Sequence, residues 1–347
     1  MRRILFLLLG LIISVGAIYF AFQGFNLADV WVSMGRVRLP FFLLMIVPYV
    51  LTFLTKVWRW QVLFHPDEAR APFRILFPTL MISYIPLPFR LGEVARGAVA
   101  SARSGVPAAR VFSTIFVEKV LDVLTLLLFL GIGLPFVDLP DTSGRDSLIL
   151  VGVVVLVLVV LMIAIVLRPE IARNLVKFVS RPLPPGIGAR LLDITENVLK
   201  GLAPLANISI ALRVGFWSIA TWGINMVTVY LMMLAFNIEV TPVAAVVLVV
   251  ATNLSMAIPA APGYVGTFEA AVVAVLMALG QSRDVSQSFA IIYHFVGLVP
   301  VAAIGAIAAL QQGINFSTLG QSGASPTPAP IDGPQPATGK PRSPEGS

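Results

Sequence analysis

The sequence predicts an all-α polytopic membrane protein, with about seven or eight helical segments that either span the bilayer or enter it and return. Hydrophobic residues make up 58% of the 347 residues and charged residues only 12%, and the mean hydropathy is +0.92. Several apolar runs approach or exceed the roughly 20 residues that cross a hydrocarbon core. Two apolar stretches, residues 85–97 and 258–280, are each broken by prolines and glycines before a glutamate. Paired breaks of this kind indicate two pseudo-repeated halves of a transporter.

Composition also excludes several classes of function. The chain has no cysteine, which rules out disulfides, thiolate metal sites and cysteine nucleophiles. Its net charge of +7 could indicate nucleic-acid binding, but in so apolar a chain the basic residues are better explained as loop anchors. No zinc signature, nucleotide loop or serine-hydrolase motif occurs. We therefore expect no enzyme, no cofactor, no metal and no nucleic-acid partner, and the isolated His65 and His294 are predicted to have packing or interface roles.

The first two apolar segments are predicted to be ordinary spans. Residues 4–22 are too long for the apolar region of a secretory signal and precede no small-residue cleavage site, so we expect a retained span. Residues 40–60 form the second span. Its end carries two lysine or arginine side chains and two tryptophans, a pattern typical of an interfacial belt with snorkelling cations: Lys56, Trp58, Arg59 and Trp60.

The next segment, residues 73–89, is apolar but short, and Pro78, Pro86 and Pro88 interrupt it. Broken backbone at membrane depth must be buried in protein or line a cavity, so a re-entrant hairpin is predicted. A helix over residues 92–104 follows, with Glu93 and Arg96 on one face. A span over residues 110–134 comes after it.

The second half of the chain repeats this order after a long polar stretch. Residues 148–167 form a span without charge, and residues 168–213 contain an amphipathic helix at 187–205 that we expect to lie on the membrane surface. A span at 214–236 and an apolar segment at 242–258 precede the second broken element, and the last span covers 287–310. The sequence is compatible with either a spanning or a re-entrant course for residues 242–280. The Pro-, Gly- and Ser-rich residues 317–347 are predicted to be a disordered tail behind a membrane domain of residues 1–316.

The distribution of basic residues predicts the orientation of the chain. The N-terminus and residues 56–74, 90–110 and 168–213 are basic, whereas residues 138–146 and 237–241 are acidic or sparsely charged. Cytoplasmic loops carry the excess of lysine and arginine. If the basic segments are placed in the cytoplasm, the spans cross the membrane in consistent alternation only when residues 73–89 enter the membrane and return to the same side. Both termini are then predicted to be cytoplasmic.

Ionisable residues within apolar segments are the candidates for function, because each costs roughly 2.5–3.5 kcal/mol on insertion scales. Glu269 has no cation within a helical turn, so it needs a partner from elsewhere, a proton or water. Its structural alternative is a packing contact with an arginine. The prolines and glycines of the two breaks are the predicted hinge residues: Pro86, Pro88, Gly92, Pro259, Pro262, Gly263 and Gly266.

The other candidates lie at the first break and on the span after it. Arg90, Glu93 and Arg96 lie at the mouth of the first broken element. Arginine forks match phosphate oxygens, so these side chains suit a phospholipid headgroup, although positive-inside anchoring would also explain them. Glu118 and Asp122 share one helix face, and with Glu93 and Glu269 they could hold an amine or a proton. For Lys119, a local ion pair is the simplest role.

Three ordered motifs resemble the lysylphosphatidylglycerol synthase transmembrane family, the flippase-like membrane domain. They are RLGEVAR at residues 90–96, VEKVLD at 117–122, and IP with PGYVGTFE within 258–269. The resemblance covers roughly residues 1–315. It implies movement of an aminoacylated or otherwise modified phospholipid between the leaflets of a bacterial or archaeal cell membrane. Fused members carry an aminoacyltransferase domain after the membrane part, and the tail here is not one, so lipid synthesis by this chain is not expected.

Three functions follow from these observations. The first is lipid translocation, in which the headgroup enters a polar cavity while the acyl chains stay in the bilayer. The second is a solute or ion transporter on the same scaffold. The third is a polyprenyl-phosphate-dependent glycosyltransferase that would use the short acidic loop of Asp138, Asp141 and Asp146. The expected partners are a phospholipid or lipid-linked substrate, with a homo-oligomer or a separate lipid-modifying enzyme as further possibilities.

Overall fold

The computed structural model describes residues 2–24, 27–133, 168–238, 241–258 and 260–314, together with single positions between 153 and 167. Within these ranges the regular structure is helical and contains no strand, which confirms the all-α membrane class. The predicted span at 148–167, the acidic loop at 138–146, Pro259 and the tail from residue 315 lie wholly or largely outside the described residues.

The predicted spans and helices of the first half are present, with α5 ending earlier than the predicted segment 73–89 and with one helix, α2, that was not predicted from the sequence. They are α1 Arg2–Ala21, α2 Leu27–Gly35, α3 Leu39–Leu44, α4 Ile46–Leu63, α5 Phe73–Ile82, α6 Leu91–Ser104 and α7 Ala108–Gly133. Those of the second half are α8 Pro169–Ser180, α9 Pro185–Leu202, α10 Ile208–Ala235, α11 Pro242–Ser255, α12 Thr267–Ala278 and α13 Arg283–Gln311.

Three stretches of the described residues are long and apolar enough to cross a membrane. They are Leu39–Leu63, which combines α3 and α4, together with α10 and α13. The tightest packing joins α4 to α10, and so it joins the two halves of the chain. Helix α13 packs on α5 and α12, so the last span contacts both broken elements.

The first broken element consists of α5, a turn over residues 83–90 and α6. Helix α5 has 10 residues and therefore rises only about 15 Å, half of a typical hydrocarbon core. Pro78 lies inside α5 and does not end it, so the break falls later than its position suggests, at Ser83. Gly92 lets α6 begin against this turn, because a Cβ there would be 3.0 Å from the carbonyl oxygens of Ile82 and Ser83. Helices α5 and α6 pack together as a hairpin.

The second broken element has the same order of parts. Helix α11 ends at Ser255, a short 3-10 turn covers Pro262–Tyr264, and α12 starts at Thr267. Gly266 precedes α12 with a φ of +93°, and a Cβ there would be 2.5 Å from the Ser14 carbonyl oxygen of α1. The hydroxyl of Ser14 accepts a hydrogen bond from the Ala261 backbone at 2.7 Å. Helix α1 is therefore part of the packed domain and supports the second break.

The amphipathic helix is present as α9, and the protein covers part of its apolar side. Leu199 and Leu202 of α9 are buried, and Leu202 joins a core cluster that includes Val117 and Leu121 of α7. Other apolar side chains of α9 remain exposed, as do those of the preceding helix α8: Ile187 and Ile194 on α9, and Ile171, Leu175, Phe178 and Val179 on α8.

Candidate functional site

The two broken elements meet, and Arg90 forms the contact between them. Its Nη2 donates a hydrogen bond of 2.6 Å to the carbonyl oxygen of Met256, which follows α11 directly. The guanidinium also lies 6.0 Å from the ring centre of Tyr264 in the second break. On the other side of the same contact, Gly263 lies close enough to Pro86 that a Cβ would be 3.4 Å from the proline Cβ.

Both contacting side chains belong to residues with an unusual backbone. Arg90 has a φ of 55° and Tyr264 a φ of 61°, in the left-handed region that non-glycine residues rarely adopt. Such residues cost of order 1–3 kcal/mol and concentrate at binding sites and switches. The junction therefore contains two strained residues, one from each half, and one of the two is the exposed Arg90.

A buried charge network lies beside the junction, between α4, α6 and α7. Arg96 makes a two-pronged contact with Glu118, with N–O distances of 3.2 and 2.6 Å. Arg59 Nη1 lies 2.7 Å from Asp122 Oδ1, and its Nη2 lies 3.8 Å from Glu118 Oε1. Trp222 of α10 donates a hydrogen bond of 2.9 Å to the same Asp122 oxygen. The network thus links the first half to α10 of the second.

Burial closes this network to solvent. Arg59, Arg96 and Glu118 have exposed fractions of 0, 1 and 2%, and the Arg96 guanidinium stacks 3.7 Å from the ring centre of Trp60. The interpretation of Arg59 as a snorkelling cation at the end of a span is wrong, because α4 continues to Leu63 and buries Arg59 in the bundle. The sequence predicts that Arg96 is available to a phospholipid headgroup, but two nitrogens of its guanidinium are already paired with Glu118.

Lys119 has a partner on another helix rather than on its own. Its Nζ lies 2.9 Å from Glu93 Oε1 of α6, so the pair joins α6 to α7. Both side chains are partly exposed, at 45 and 27%. Glu93 and Lys119 therefore form the accessible edge of the charge network, while Glu118 and Asp122 form its interior.

Glu269 is held at the start of α12. Its Oε2 accepts a hydrogen bond of 2.7 Å from the Gly266 backbone N–H, which caps the helix, and its Oε1 lies 2.6 Å from His294 Nδ1 of α13. The His294 ring also stacks on Phe268 at 4.5 Å between ring centres. The partner of Glu269 is thus a histidine rather than the arginine considered from the sequence, and His294 is not isolated.

Lys56 is a further cation that the sequence did not assign to the site. Its Nζ donates to the hydroxyl of Tyr84, in the first break, at 3.0 Å and lies 5.3 Å from the ring centre of Trp222. The side chain is half-buried, and no carboxylate of the described residues lies within 4.0 Å of it. Its position one turn before Arg59 is a signal that sequence reasoning could have used, since both then face the interior.

The predicted hinge residues fall into two groups. Pro86, Pro88 and Gly92 shape the turn before α6, while Pro262, Gly263 and Gly266 shape the turn before α12, and Pro259 lies outside the described residues. In the part of the chain that the structure describes, no cluster of three or more histidine, cysteine or acidic side chains could hold a metal ion. The candidate site is therefore built from charged, aromatic and backbone groups.

This fold and site define an all-α polytopic membrane protein with two broken apolar elements that meet beside a buried charge network. The chain belongs to the family described as the lysylphosphatidylglycerol synthase TM region, whose model matches residues 7–305. The match confirms the resemblance seen in the three motifs.

Two relatives are similar to this chain over part of its length. The protein named glycosyltransferase AglD of Haloferax volcanii is 30% identical over 224 residues, which cover 55% of this chain and 35% of that protein. UPF0104 membrane protein MJ1078 of Methanocaldococcus jannaschii is 26% identical over 226 residues, covering 64% of this chain and 90% of that protein. The alignment thus spans about a third of AglD. No solved structure matches the chain.

Proposed function

We propose that this protein moves a lipid with a charged headgroup between the leaflets of the membrane, and that the headgroup passes the junction of the two broken elements. The observation that carries the proposal is the contact of Arg90 with Met256 and Tyr264. Transporters built from two repeated halves bind their substrates at the place where the broken helices of the two halves meet. Membership of the lysylphosphatidylglycerol synthase TM family is consistent with a lipid substrate.

Arg90 is suited to contact a phosphate group. Its side chain is exposed, and Nη2 donates to Met256 while a guanidinium offers five N–H donors in all. A lipid phosphate would compete with the Met256 carbonyl oxygen for this arginine. Because a phosphate carries a negative charge and can accept from two N–H groups of the guanidinium, whereas the carbonyl oxygen is neutral, the phosphate would win and separate the two breaks. Substrate binding would in this way be coupled to a change at the junction.

The other candidate residues receive different roles in this proposal. Glu93 lies at the accessible edge, where it can meet the headgroup or its amine. Arg96, Glu118 and Asp122 hold α6 and α7 in place around it. Glu269 fixes the start of α12 and with it the second break. Hinge motion at the glycines and prolines of both breaks would then open and close the junction.

An apolar groove on the outside of the bundle is consistent with a lipid substrate. It lies between α4 and α10, has a volume of about 660 Å³ and is lined only by apolar residues, among them Leu51, Gly223 and Val227. Such a groove can accommodate an acyl or isoprenoid chain, although surfaces that face lipid are apolar in any membrane protein. A solute or ion transporter remains the alternative on the same scaffold.

The direct test is leaflet exchange of labelled phospholipids in proteoliposomes that contain the purified chain. Arg90→Gln is expected to slow exchange at least about tenfold, because it removes one charge-assisted contact. Arg90→Lys should keep part of the rate, since a lysine supplies the charge without the fork. Arg103→Gln, an exposed arginine at the far end of α6, is the matched control and should exchange at the wild-type rate.

The outcomes separate the hypotheses. Exchange that Arg90→Gln abolishes and Arg103→Gln leaves intact supports the proposed site. No exchange with anionic, zwitterionic or aminoacylated lipids would contradict translocation and favour the solute transporter. Equal loss in both arginine variants would contradict a specific role for Arg90. The proposed cytoplasmic location of both ends is tested by placing a label on each terminus and measuring which labels are protected in sealed vesicles.

A second candidate function follows from the relative named glycosyltransferase AglD. The matched region covers 35% of that protein, so its activity is not transferred to this chain. A role with a polyprenyl-phosphate-linked sugar, as carrier or as enzyme, would use the same phosphate chemistry at Arg90. Proteoliposomes that contain the purified chain, incubated with a radiolabelled polyprenyl-phosphate sugar, distinguish the enzyme from the carrier. Release or transfer of the sugar would identify an enzyme. Passage of the intact lipid between leaflets would identify a carrier.

A further inference from the structure

The charges of the buried network and of Lys56 beside it, leaving aside the exposed Arg90, do not balance. Three cations, Lys56, Arg59 and Arg96, share the region with two carboxylates, Glu118 and Asp122, which leaves one positive charge in excess. Lys119 does not alter this difference, since Glu93 neutralises it. An excess cation inside an apolar bundle is costly, and it is retained where it meets a ligand of opposite charge.

The same region has more hydrogen-bond donors than acceptors. Arg59 Nε, Arg59 Nη2 and Arg96 Nε are buried and have no hydrogen-bond acceptor among the described residues. Buried guanidinium groups are normally satisfied, so three orphan guanidinium nitrogens in one cluster indicate a missing acceptor. The excess charge and the orphan donors both indicate an anion rather than a cation or a neutral molecule.

Lys56 connects this cluster to the first break. It lies one helical turn before Arg59 on α4, and its Nζ donates to Tyr84 in the turn between α5 and α6. Trp222 lies between the lysine and the network, since its ring is 5.3 Å from Lys56 Nζ and its Nε1 bonds Asp122. The aromatic side chains of Tyr84 and Trp222 and the flexible cation Lys56 thus lie next to the orphan donors.

We propose that Lys56, with the neighbouring Arg59, binds the phosphate group of an anionic lipid once hinge motion at the first break opens the buried network. This assignment rests on the proposed function, because it names the headgroup class that the translocation site prefers. A phosphate supplies several acceptor oxygens for the orphan guanidinium donors and one negative charge for Lys56. A zwitterionic headgroup brings no net charge and would leave the excess uncompensated. The phosphate of a phospholipid and that of a polyprenyl phosphate share this chemistry.

The test measures lipid binding by the full chain in detergent, with phosphatidylglycerol and polyprenyl phosphate as probes and phosphatidylcholine as reference. Native mass spectrometry reports how much of each lipid remains bound. Lys56→Gln is expected to weaken binding of both anionic probes by at least about tenfold, the size of one lost charge-assisted contact. Lys56→Arg keeps the charge and should bind within about threefold of wild type, because one guanidinium donates as well as an ammonium.

Two controls separate binding from folding. Lys177→Gln removes an exposed lysine of α8 and should leave binding unchanged. Lys200→Gln removes an exposed lysine of α9 and should likewise retain the lipid. All variants are compared at matched thermal stability. Wild-type binding by Lys56→Gln would overturn the proposal, as would equal binding of phosphatidylcholine and phosphatidylglycerol by the wild type.

The same variants distinguish failure of this proposal from failure of translocation. If the wild type exchanges lipids and Lys56→Gln binds and exchanges them equally well, translocation stands and the Lys56 site is wrong. If phosphatidylglycerol binds in a Lys56-dependent manner but no lipid is exchanged, the site stands and translocation is wrong. Preference for polyprenyl phosphate over phosphatidylglycerol would support the site and identify the lipid-linked substrate as its source.

Discussion

His294 Nδ1 lies 2.6 Å from Glu269 Oε1, and this pair joins the start of α12 to the middle of α13. Because the other carboxylate oxygen caps α12 through Gly266, one side chain connects the second break, its helix and the last span. Both residues are buried, with exposed fractions of 5% for Glu269 and 8% for His294. Their contact therefore controls how rigidly the second break is held.

His294→Leu is expected to lower the free energy of unfolding by about 2–4 kcal/mol, because it leaves a buried carboxylate without its side-chain partner. Glu269→Gln should cost less, about 1 kcal/mol, since its amide oxygen can still accept from Gly266 and its size is unchanged. Thermal unfolding of the detergent-solubilised protein measures both. A double variant that costs as much as the sum of the two single variants would show that the residues do not act as a pair.

Glu269→Gln is also expected to reduce lipid exchange while the fold persists, because a looser second break no longer meets Arg90 in one geometry. The assay is the proteoliposome exchange described above, run beside a spectroscopic check of helix content. Normal exchange in a folded Glu269→Gln protein would remove Glu269 from the proposed mechanism.

The pair of Arg96 and Glu118 gives a second stability prediction. Arg96→Met should destabilise by about 3–5 kcal/mol, because Glu118 then remains buried with only the 3.8 Å contact to Arg59. Adding Glu118→Leu should restore much of this loss, since apolar replacement of both members of a buried ion pair is often neutral. Chemical denaturation midpoints of the single and double variants test it, and a double variant no more stable than Arg96→Met would contradict the pairing.

Two glycines of α13 provide a matched test of helix packing. A Cβ at Gly305 would lie 2.3 Å from the carbonyl oxygen of Met81 in α5, whereas a Cβ at Gly297 would meet nothing within 4 Å. Gly305→Ala is therefore expected to lower the melting temperature markedly, because helix and hairpin must separate. Gly297→Ala should be neutral or raise stability by up to about 1 kcal/mol through helix propensity. Equal effects of the two substitutions would contradict the close approach of α13 to α5.

A pH effect is expected at the contact between α8 and α9. The hydrogen bond from Arg173, 2.6 Å long, lowers the pKa of Glu196 below its usual value. A carboxylate whose pKa is lower in the folded state stabilises the contact above its unfolded pKa, and this is lost as the pH falls through its folded pKa. The protection factors of the α8 amides, which correct the exchange rates for their intrinsic pH dependence, should therefore fall in acid.

The matched variants for that contact are both on α9. Glu196→Gln should raise the exchange of α8 at neutral pH and remove the acid effect, whereas Asp193→Asn, at an exposed position, should do neither. An acid effect that persists in Glu196→Gln would mean that another group governs the contact.

Much of the fold could be predicted from local sequence alone. Long apolar runs place α10 and α13, and the prolines and glycines place both breaks to within a few residues, because these features depend on each segment by itself. The motif resemblance located the family, and the model match to residues 7–305 confirms it. Glu269 could be singled out since an intramembrane carboxylate is rare whatever surrounds it.

The partners within the site could not be predicted in this way. Lys119 pairs with Glu93 rather than with a residue of its own helix, and Arg59 turns inward, because α6 and α4 pack on α7. His294 lies 25 residues from Glu269 and on a different helix, so the periodicity of a single segment does not pair them. These contacts depend on which helices meet, and that is decided by packing across the whole bundle rather than by the pattern of one segment.

Each buried ion pair of the site closes within its own half of the chain. Arg96 and Glu118 are 22 residues apart and Glu269 and His294 are 25 apart, whereas the hydrogen bond from Arg90 to a backbone carbonyl, which joins the two halves, spans 166 residues. During synthesis, the amino-terminal half can thus enter the lipid with its buried carboxylates Glu118 and Asp122 already paired, before the ribosome has made the helices that it will contact. Insertion and assembly become separate steps, and a nascent chain waiting in the bilayer need not expose an unpaired buried carboxylate to lipid.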